Sequence, residues 1–188
     1  MTRQAFNDEQ GSTLVEAIIA VGVLSVGLLS MAQVFGLALK QSSSSVNSMI
    51  AREKAREAVE SVHTARDTKT VTWAQIRNVK DGGIFANAAT PLRRAGQDGM
   101  TNTGDDCTSV STPFCPYVFE STDMPGPDGK MGTTDDVHIP LVDFTRQIAI
   151  DDVPGSPALR RLTVTITFKG QGNVPQAFTL VTYISSFA

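Results

Sequence analysis

The sequence predicts an α+β fold in which a long N-terminal helix, its first half of membrane-spanning length, packs by its second half on a C-terminal antiparallel β-sheet. Three observations carry this expectation. Residues 17–39 (AIIAVGVLSVGLLSMAQVFGLAL) hold no charged side chain over 23 positions. Ala51, Ala55, Ala58, Val59 and Val62 then recur at helical spacing among charged residues. Residues 159–169 and 177–185 alternate branched and polar side chains on either side of a glycine-containing turn. The averages conceal this ordering, because 41% hydrophobic and 19% charged residues over 188 positions describe an ordinary globular protein. A formal net charge of -3 supplies no basic field for a phosphate backbone, so nucleic acid is not an expected partner.

Taken in order, residues 1–11 form a short polar leader and residues 12–40 the membrane-length helix. At about 1.5 Å per residue, the uncharged run spans roughly 34 Å, against about 30 Å for the hydrocarbon core of a bilayer. An ordinary secretory signal would place basic residues just before the apolar run and a small-residue cleavage site after it; neither is found here. Glu16 lies at the start of the apolar segment. A carboxylate costs about 2.5–3.5 kcal/mol at mid-bilayer, so it calls for a partner. If the chain were cut after Gly11, the new α-amine of Ser12 would lie one helical turn from Glu16, in the same chain or a neighbouring one.

Residues 41–66 are expected to continue as the amphipathic half of the same helix, with Glu53 and Arg56 paired on its wet side. Residues 67–188 form the head. Gly82, Gly83 and Pro91 break the stretch up to residue 96, which reads as loop with a short helix over 73–79, Trp73 serving as a packing residue. His63 and His138 have no second histidine or cysteine at ligand spacing and read as structural or exposed. Residues 142–150 are a candidate strand, and 159–185 a closing hairpin with Leu162, Val164, Ile166 and Phe168 on one face and Thr163, Thr165 and Thr167 on the other.

Two segments of the head match each other: 96–106 (GQDGMTNTGDD) and 126–136 (GPDGKMGTTDD), sharing Gly-x-Asp-Gly-x-x-x-Thr-x-Asp-Asp. Each gathers three carboxylates and further oxygen donors between glycines, the supply that a hard cation such as Ca²⁺ requires, with Asp98, Asn102, Asp105, Asp106, Asp128, Asp135 and Asp136 as candidate ligands. No glutamate closes a twelve-residue EF-hand frame. The same residues also suit ordinary Asp-Gly turns without metal. Cys107 follows the first segment directly, and a disulfide to Cys115 would close a short loop in an oxidising compartment.

Residues 11–29, GSTLVEAIIAVGVLSVGLL, resemble the N-terminal signal of type IV prepilins and type II secretion pseudopilins: a glycine, then a hydrophobic stretch with glutamate as the fifth mature residue. The resemblance implies cleavage between Gly11 and Ser12 by a prepilin peptidase, methylation of Ser12, and a role for Glu16 in assembly with the adjacent subunit. It further implies an inner-membrane precursor that leaves for a periplasmic or cell-surface filament, with other pilins and an inner-membrane assembly platform as partners. Ser12 stands where the family usually has Phe, Asp8 and Glu9 lie near the cut, Arg3 is the leader's one basic residue, and no proline precedes Pro91. These departures favour a minor over a major pilin, and the Thr- and Val-rich closing hairpin is similar to the tail of pilus-modification minor pilins. Pseudopilins of type II secretion or competence filaments share the N-terminal signal. A membrane-anchored exported enzyme or Ca²⁺-binding module is the rival of another class. The sequence lacks Gly-x-Ser-x-Gly, His-Glu-x-x-His and Gly-x-x-x-x-Gly-Lys, and a non-enzymatic role is expected.

Overall fold

The computed structural model describes residues 13–111 and 113–187. Its elements run α1 (Leu14–Asp67), β1 (Thr90–Pro91), β2 (Ser121–Met124), β3 (Val137–Pro140), β4 (Thr145–Val153), β5 (Ser156–Lys169) and β6 (Pro175–Ser185). The chain divides into two compact units, 1–43 and 44–188. In the first, the Leu14–Leu39 stretch of α1 has a mean hydropathy of 2.3 and is 0% buried within the chain, long and apolar enough to serve as a membrane anchor or a signal sequence. The leader, Gly11 and Ser12 lie outside the described residues.

In the second unit, a four-stranded antiparallel sheet of order β1-β4-β5-β6 shares its core with the last turns of α1. Ala51, Ala55, Ala58, Val62 and Ala65 form the buried stripe of the helix, and their small side chains join Ile148, Ile150, Leu162, Val164, Ile166 and Ile184 in one cluster. The period-two expectation for β5 holds: Leu162, Val164 and Ile166 are each 0% exposed and Phe168 4%, while Thr163, Thr165 and Thr167 are only partly buried. Each fully buried branched side chain of this kind contributes about 1.5–3 kcal/mol.

Three expectations are corrected in detail. The strand placed at 142–150 runs Thr145–Val153 instead. Val142 is exposed in the turn that precedes it, and at the other end the strand continues past Ile150 because its two aspartates are neutralised across the ladder. Asp151 faces Arg161 at 2.9 Å and Asp152 faces Arg160 at 3.0 Å, after which Pro154 and Gly155 (φ 78°) turn the chain into β5. The short helix expected at 73–79 is replaced by turns and a single 3-10 turn at Val79–Asp81. On the helix surface Lys54 pairs with Glu57 at 2.8 Å and with Glu120 at 3.3 Å, and Arg66 with Asp67 at 2.6 Å, whereas the expected Glu53–Arg56 pair is not formed.

Trp73 does pack, half-buried against the core, with the Arg160 guanidinium 4.0 Å from its ring centroid. Arg160 also donates to the carbonyls of Trp73 and, at 2.9 Å, Ile76, so one buried arginine fastens the 73–76 turn to β4 and β5. Asn78, 4% exposed, does the equivalent at the outer edge of β4: its Nδ2 donates to the Ile148 carbonyl at 2.7 Å and its Oδ1 accepts from the Ile150 amide at 2.8 Å. A side-chain amide thus stands in for the strand that would otherwise pair there.

Candidate functional site

The first candidate lies at the start of α1. Thr13 Oγ1 accepts from the Glu16 amide at 3.3 Å, and the Thr13 carbonyl accepts from Ala17 at 3.1 Å, so Thr13 is the N-cap and Glu16 the third helical residue. Thr-Leu-Val-Glu is the capping-box pattern, a signal legible in the sequence that the sequence reading did not use. Glu16 therefore sits where the helix dipole favours a carboxylate, and it is the one charged residue between Leu14 and Leu39.

The second candidate is the repeated acidic segment, and the repeat in sequence is a repeat in structure. In loop 1 (96–106) the Asp98 amide donates to Asp105 Oδ2 at 3.0 Å, Met100 to Asp98 Oδ1 at 2.8 Å, Asn102 to Asp106 Oδ2 at 2.9 Å, and Thr103 Oγ1 to Asp105 Oδ1 at 2.8 Å. In loop 2 (126–136) the corresponding bonds are Asp128 to Asp135 at 3.2 Å, Lys130 to Asp128 at 2.8 Å, Gly132 to Asp136 at 2.6 Å, and Thr133 to Asp135 at 2.6 Å. The glycines are required by geometry. Gly99 and Gly129 have φ of 70° and 69°, and a Cβ on Gly96 or Gly126 would come within 2.1 Å or 2.2 Å of the carbonyl oxygen of Asp105 or Asp135.

The two loops differ in what surrounds them. Loop 1 is docked on the head core: Met100 is 2% exposed, Asn102 0% and Asp106 8%. Asn102 takes a left-handed φ of 70°, accepts from Thr90 through its Oδ1 at 2.8 Å, and accepts the Ala86 amide through its carbonyl at 2.8 Å. Burial pushes the Asp106 carboxyl up to about 6, against the Asn102 hydrogen bond and the nearby Arg146 guanidinium. Partial burial likewise raises Asp98. Asp105 is held below the usual range despite its partial burial, by the Asp98 amide and the Thr103 hydroxyl. In loop 2 the places of Met100 and Asn102 are taken by Lys130 and Gly132, both exposed, and the Thr133 hydroxyl and Asp128 amide hold Asp135 low.

Loop 1 leads directly into the bridge. Cys107 and Cys115 form a disulfide with Cα atoms 5.6 Å apart, and Ser111 and Cys115 exchange backbone hydrogen bonds of 2.8 and 2.6 Å. Beneath loop 1, Arg146 (side chain 1% exposed) donates to Glu120 at 2.8 Å, linking β4 through Glu120 to Lys54 of α1. Of the two histidines, His138 on β3 meets Asp123 on β2 at 2.7 Å and lies beside Tyr117, whereas His63 lies on the half-buried face of α1.

The donor chemistry of both loops suits a hard cation, but its arrangement does not converge on one. The carboxylates of Asp98, Asp105, Asp106, Asp128, Asp135 and Asp136 accept from the loops' own amides and hydroxyls, Asn102 is engaged by Thr90, and among the described residues no three acidic, histidine or cysteine side chains form a group that could hold a metal ion. Compared with protein-family models, curated proteins and solved structures, the chain matches none.

Proposed function

We propose that this chain is a minor pilin, a non-enzymatic structural subunit of a type IV pilus or related filament. The observation that carries this reading is the start of α1. A capped helix end places a single carboxylate, Glu16, ahead of 23 uncharged positions, and later turns of the same element supply the buried stripe of the head. The helix cap alone would account for a carboxylate there. A carboxylate five residues beyond Gly11, at the mouth of a membrane-length segment, is also what subunit docking through a freed N-terminus requires. On this reading a prepilin peptidase removes residues 1–11 and methylates Ser12. The precursor is anchored in the inner membrane, and an assembly platform passes it into a filament of other pilins, with the head on the periplasmic or cell-surface side. Ca²⁺ belongs to the same proposal as a brace for the head, bound by the loop aspartates in an arrangement other than the self-closed one, since binding must draw them off their own amides.

The test separates the cap from the docking role. The chain is expressed with and without a prepilin peptidase and followed by intact mass and N-terminal analysis, with Gly11→Ala as control. Loss of residues 1–11 in the presence of the peptidase alone is expected; an uncut chain, or a cut beyond the apolar segment, overturns the reading. Glu16→Gln keeps a residue competent in a capping box but removes the charge. It is expected to leave helix content and processing intact while incorporation into filaments falls.

A further inference from the structure

The two edges of the head sheet are treated in opposite ways. Along β4 the outer edge is occupied: β1 pairs with Thr145 and Arg146, Asn78 takes the Ile148 carbonyl and the Ile150 amide, and Gln147 Nε2 donates to the Asn87 carbonyl at 3.1 Å. Along β6, among the described residues, no strand pairs with the side facing away from β5. This edge is 11 residues long, PQAFTLVTYIS; Pro175 closes one end and Arg66 takes the Ser185 carbonyl at the other at 3.0 Å, and between them it carries no charge and no bulge, features by which exposed edges are ordinarily protected from pairing. Its outward-facing residues are strongly exposed, Val181 at 51% and Tyr183 at 56%. On the other face Phe178 and Leu180 are only partly buried against the core. Beside Leu180 a cleft of about 380 Å³ opens, lined by Arg56, Val59, Glu60 and His63 of α1.

We propose that β6 is an interaction edge that pairs antiparallel with β6 of a second copy of this chain. The alternate N–H and C=O groups pointing away from β5 specify the occupant as another strand, since only a strand satisfies them in series. Within a second copy, the β4 edge of the same sheet is sealed by Asn78 and β1, and the four-residue strands β2 and β3 are too short to match an 11-residue edge, so β6 is the edge that fits. The strand is also self-complementary. Centred on Leu180, a twofold pairing sets Leu180 against Leu180, Phe178 against Thr182, Thr179 against Val181 and Ala177 against Tyr183, keeping each residue on its own face with no charged residue in either strand, while Arg52, Arg56 and Glu60 of α1 flank the seam on the inner face. The inner row of this pairing covers the partly buried Phe178 and Leu180, and the outer row covers Val181 and Tyr183.

The inference is independent of the filament reading, because it is read on the unassembled protein. Full-length chain purified in detergent micelles is measured for detergent-corrected mass over a concentration series. Thr179→Cys chains are mixed with Val181→Cys chains carrying a different tag, and a Thr179→Lys/Val181→Lys variant, changed only at exposed positions, sets lysines directly opposite each other across the proposed pair. Expected are a two-chain mass at high concentration, a mixed disulfide between positions 179 and 181, and a one-chain mass for the double-lysine variant with an unchanged circular dichroism spectrum. A one-chain mass for the unaltered protein at every concentration overturns the proposal. So does a two-chain mass that survives the double-lysine change without the mixed disulfide, since pairing then runs through another surface such as the apolar helix.

Discussion

Loop 1 and loop 2 have the same eleven-residue pattern and share four corresponding side-chain hydrogen bonds, yet one is part of the core of the head and the other is an appendage on its surface. The difference comes from residues the shared pattern leaves open. Met100 inserts an apolar side chain where loop 2 has Lys130, and Asn102 reaches Thr90 where loop 2 has only Gly132. The motif thus builds a self-supporting turn, its carboxylates closing on its own amides, and the variable positions decide whether that turn is anchored.

Substitution at the anchoring position gives the largest contrast. Met100→Ala is expected to cost about 2–5 kcal/mol in chemical denaturation, the usual range for truncating a buried methionine, and Lys130→Ala within about 0.5 kcal/mol. Equal costs at the two positions would mean that loop 1 is not anchored through its side chain.

Titration gives the next. The Asp106 carboxyl titrates near 6 in the folded head, above its ordinary value of 3.8, so the neutral form is the one the fold prefers. Its contribution is fully present below about pH 4 and is lost as pH rises through about 6, up to about 3 kcal/mol in all. Denaturation midpoints measured from pH 4 to 7 should show a component of this slope that disappears in Asp106→Asn and persists in Asp136→Asn.

Calcium probes both loops at once. A bound cation must draw the aspartates off their own amides, and at about 100 times its dissociation constant it stabilises the head by about 2.7 kcal/mol. Thermal melts in chelator and then in excess Ca²⁺ are expected to show this rise. Its loss in Asp98→Asn/Asp105→Asn assigns the ion to loop 1, and its loss in Asp128→Asn/Asp135→Asn assigns it to loop 2. No rise in the unaltered protein removes Ca²⁺ from the proposal and leaves the loops as self-closed turns.

The smallest global effect is expected from Gly126→Ala. The added Cβ meets the Asp135 carbonyl and opens loop 2, but little of the core depends on that loop. Stability should change by less than about 1 kcal/mol while limited proteolysis within 126–136 accelerates. The matching Gly96→Ala change should lower the denaturation midpoint as well, because opening loop 1 withdraws Met100 from the core.

Much of the fold was legible because it rests on local periodicity. The uncharged run, the Ala51–Ala55–Ala58–Val62 stripe and the alternation of β5 each state which face is apolar, and the structure buries the last two as that pattern requires. The pairing of Cys107 with Cys115 follows from there being two cysteines at close spacing. Edges were less legible. The extension of β4 through Asp151 and Asp152 depends on arginines that lie across the ladder and not along the chain, and the role of Asn78 as a substitute strand depends on a segment 70 residues away.

By itself, then, the sequence determined the long helix at the start and the strands at the end, the buried faces of α1 and β5, the twofold occurrence of the acidic loop and the placing of one carboxylate at the head of an apolar helix, since each is a matter of spacing between near neighbours. β1, β2 and β3, too short to show a period, were not among them. Tertiary structure alone decided which acidic loop is anchored, which sheet edge is sealed and which left open, and that Asp106 is buried near Arg146. These depend on contacts between residues far apart in the chain, where burial and desolvation are settled by what packs alongside and not by what comes next.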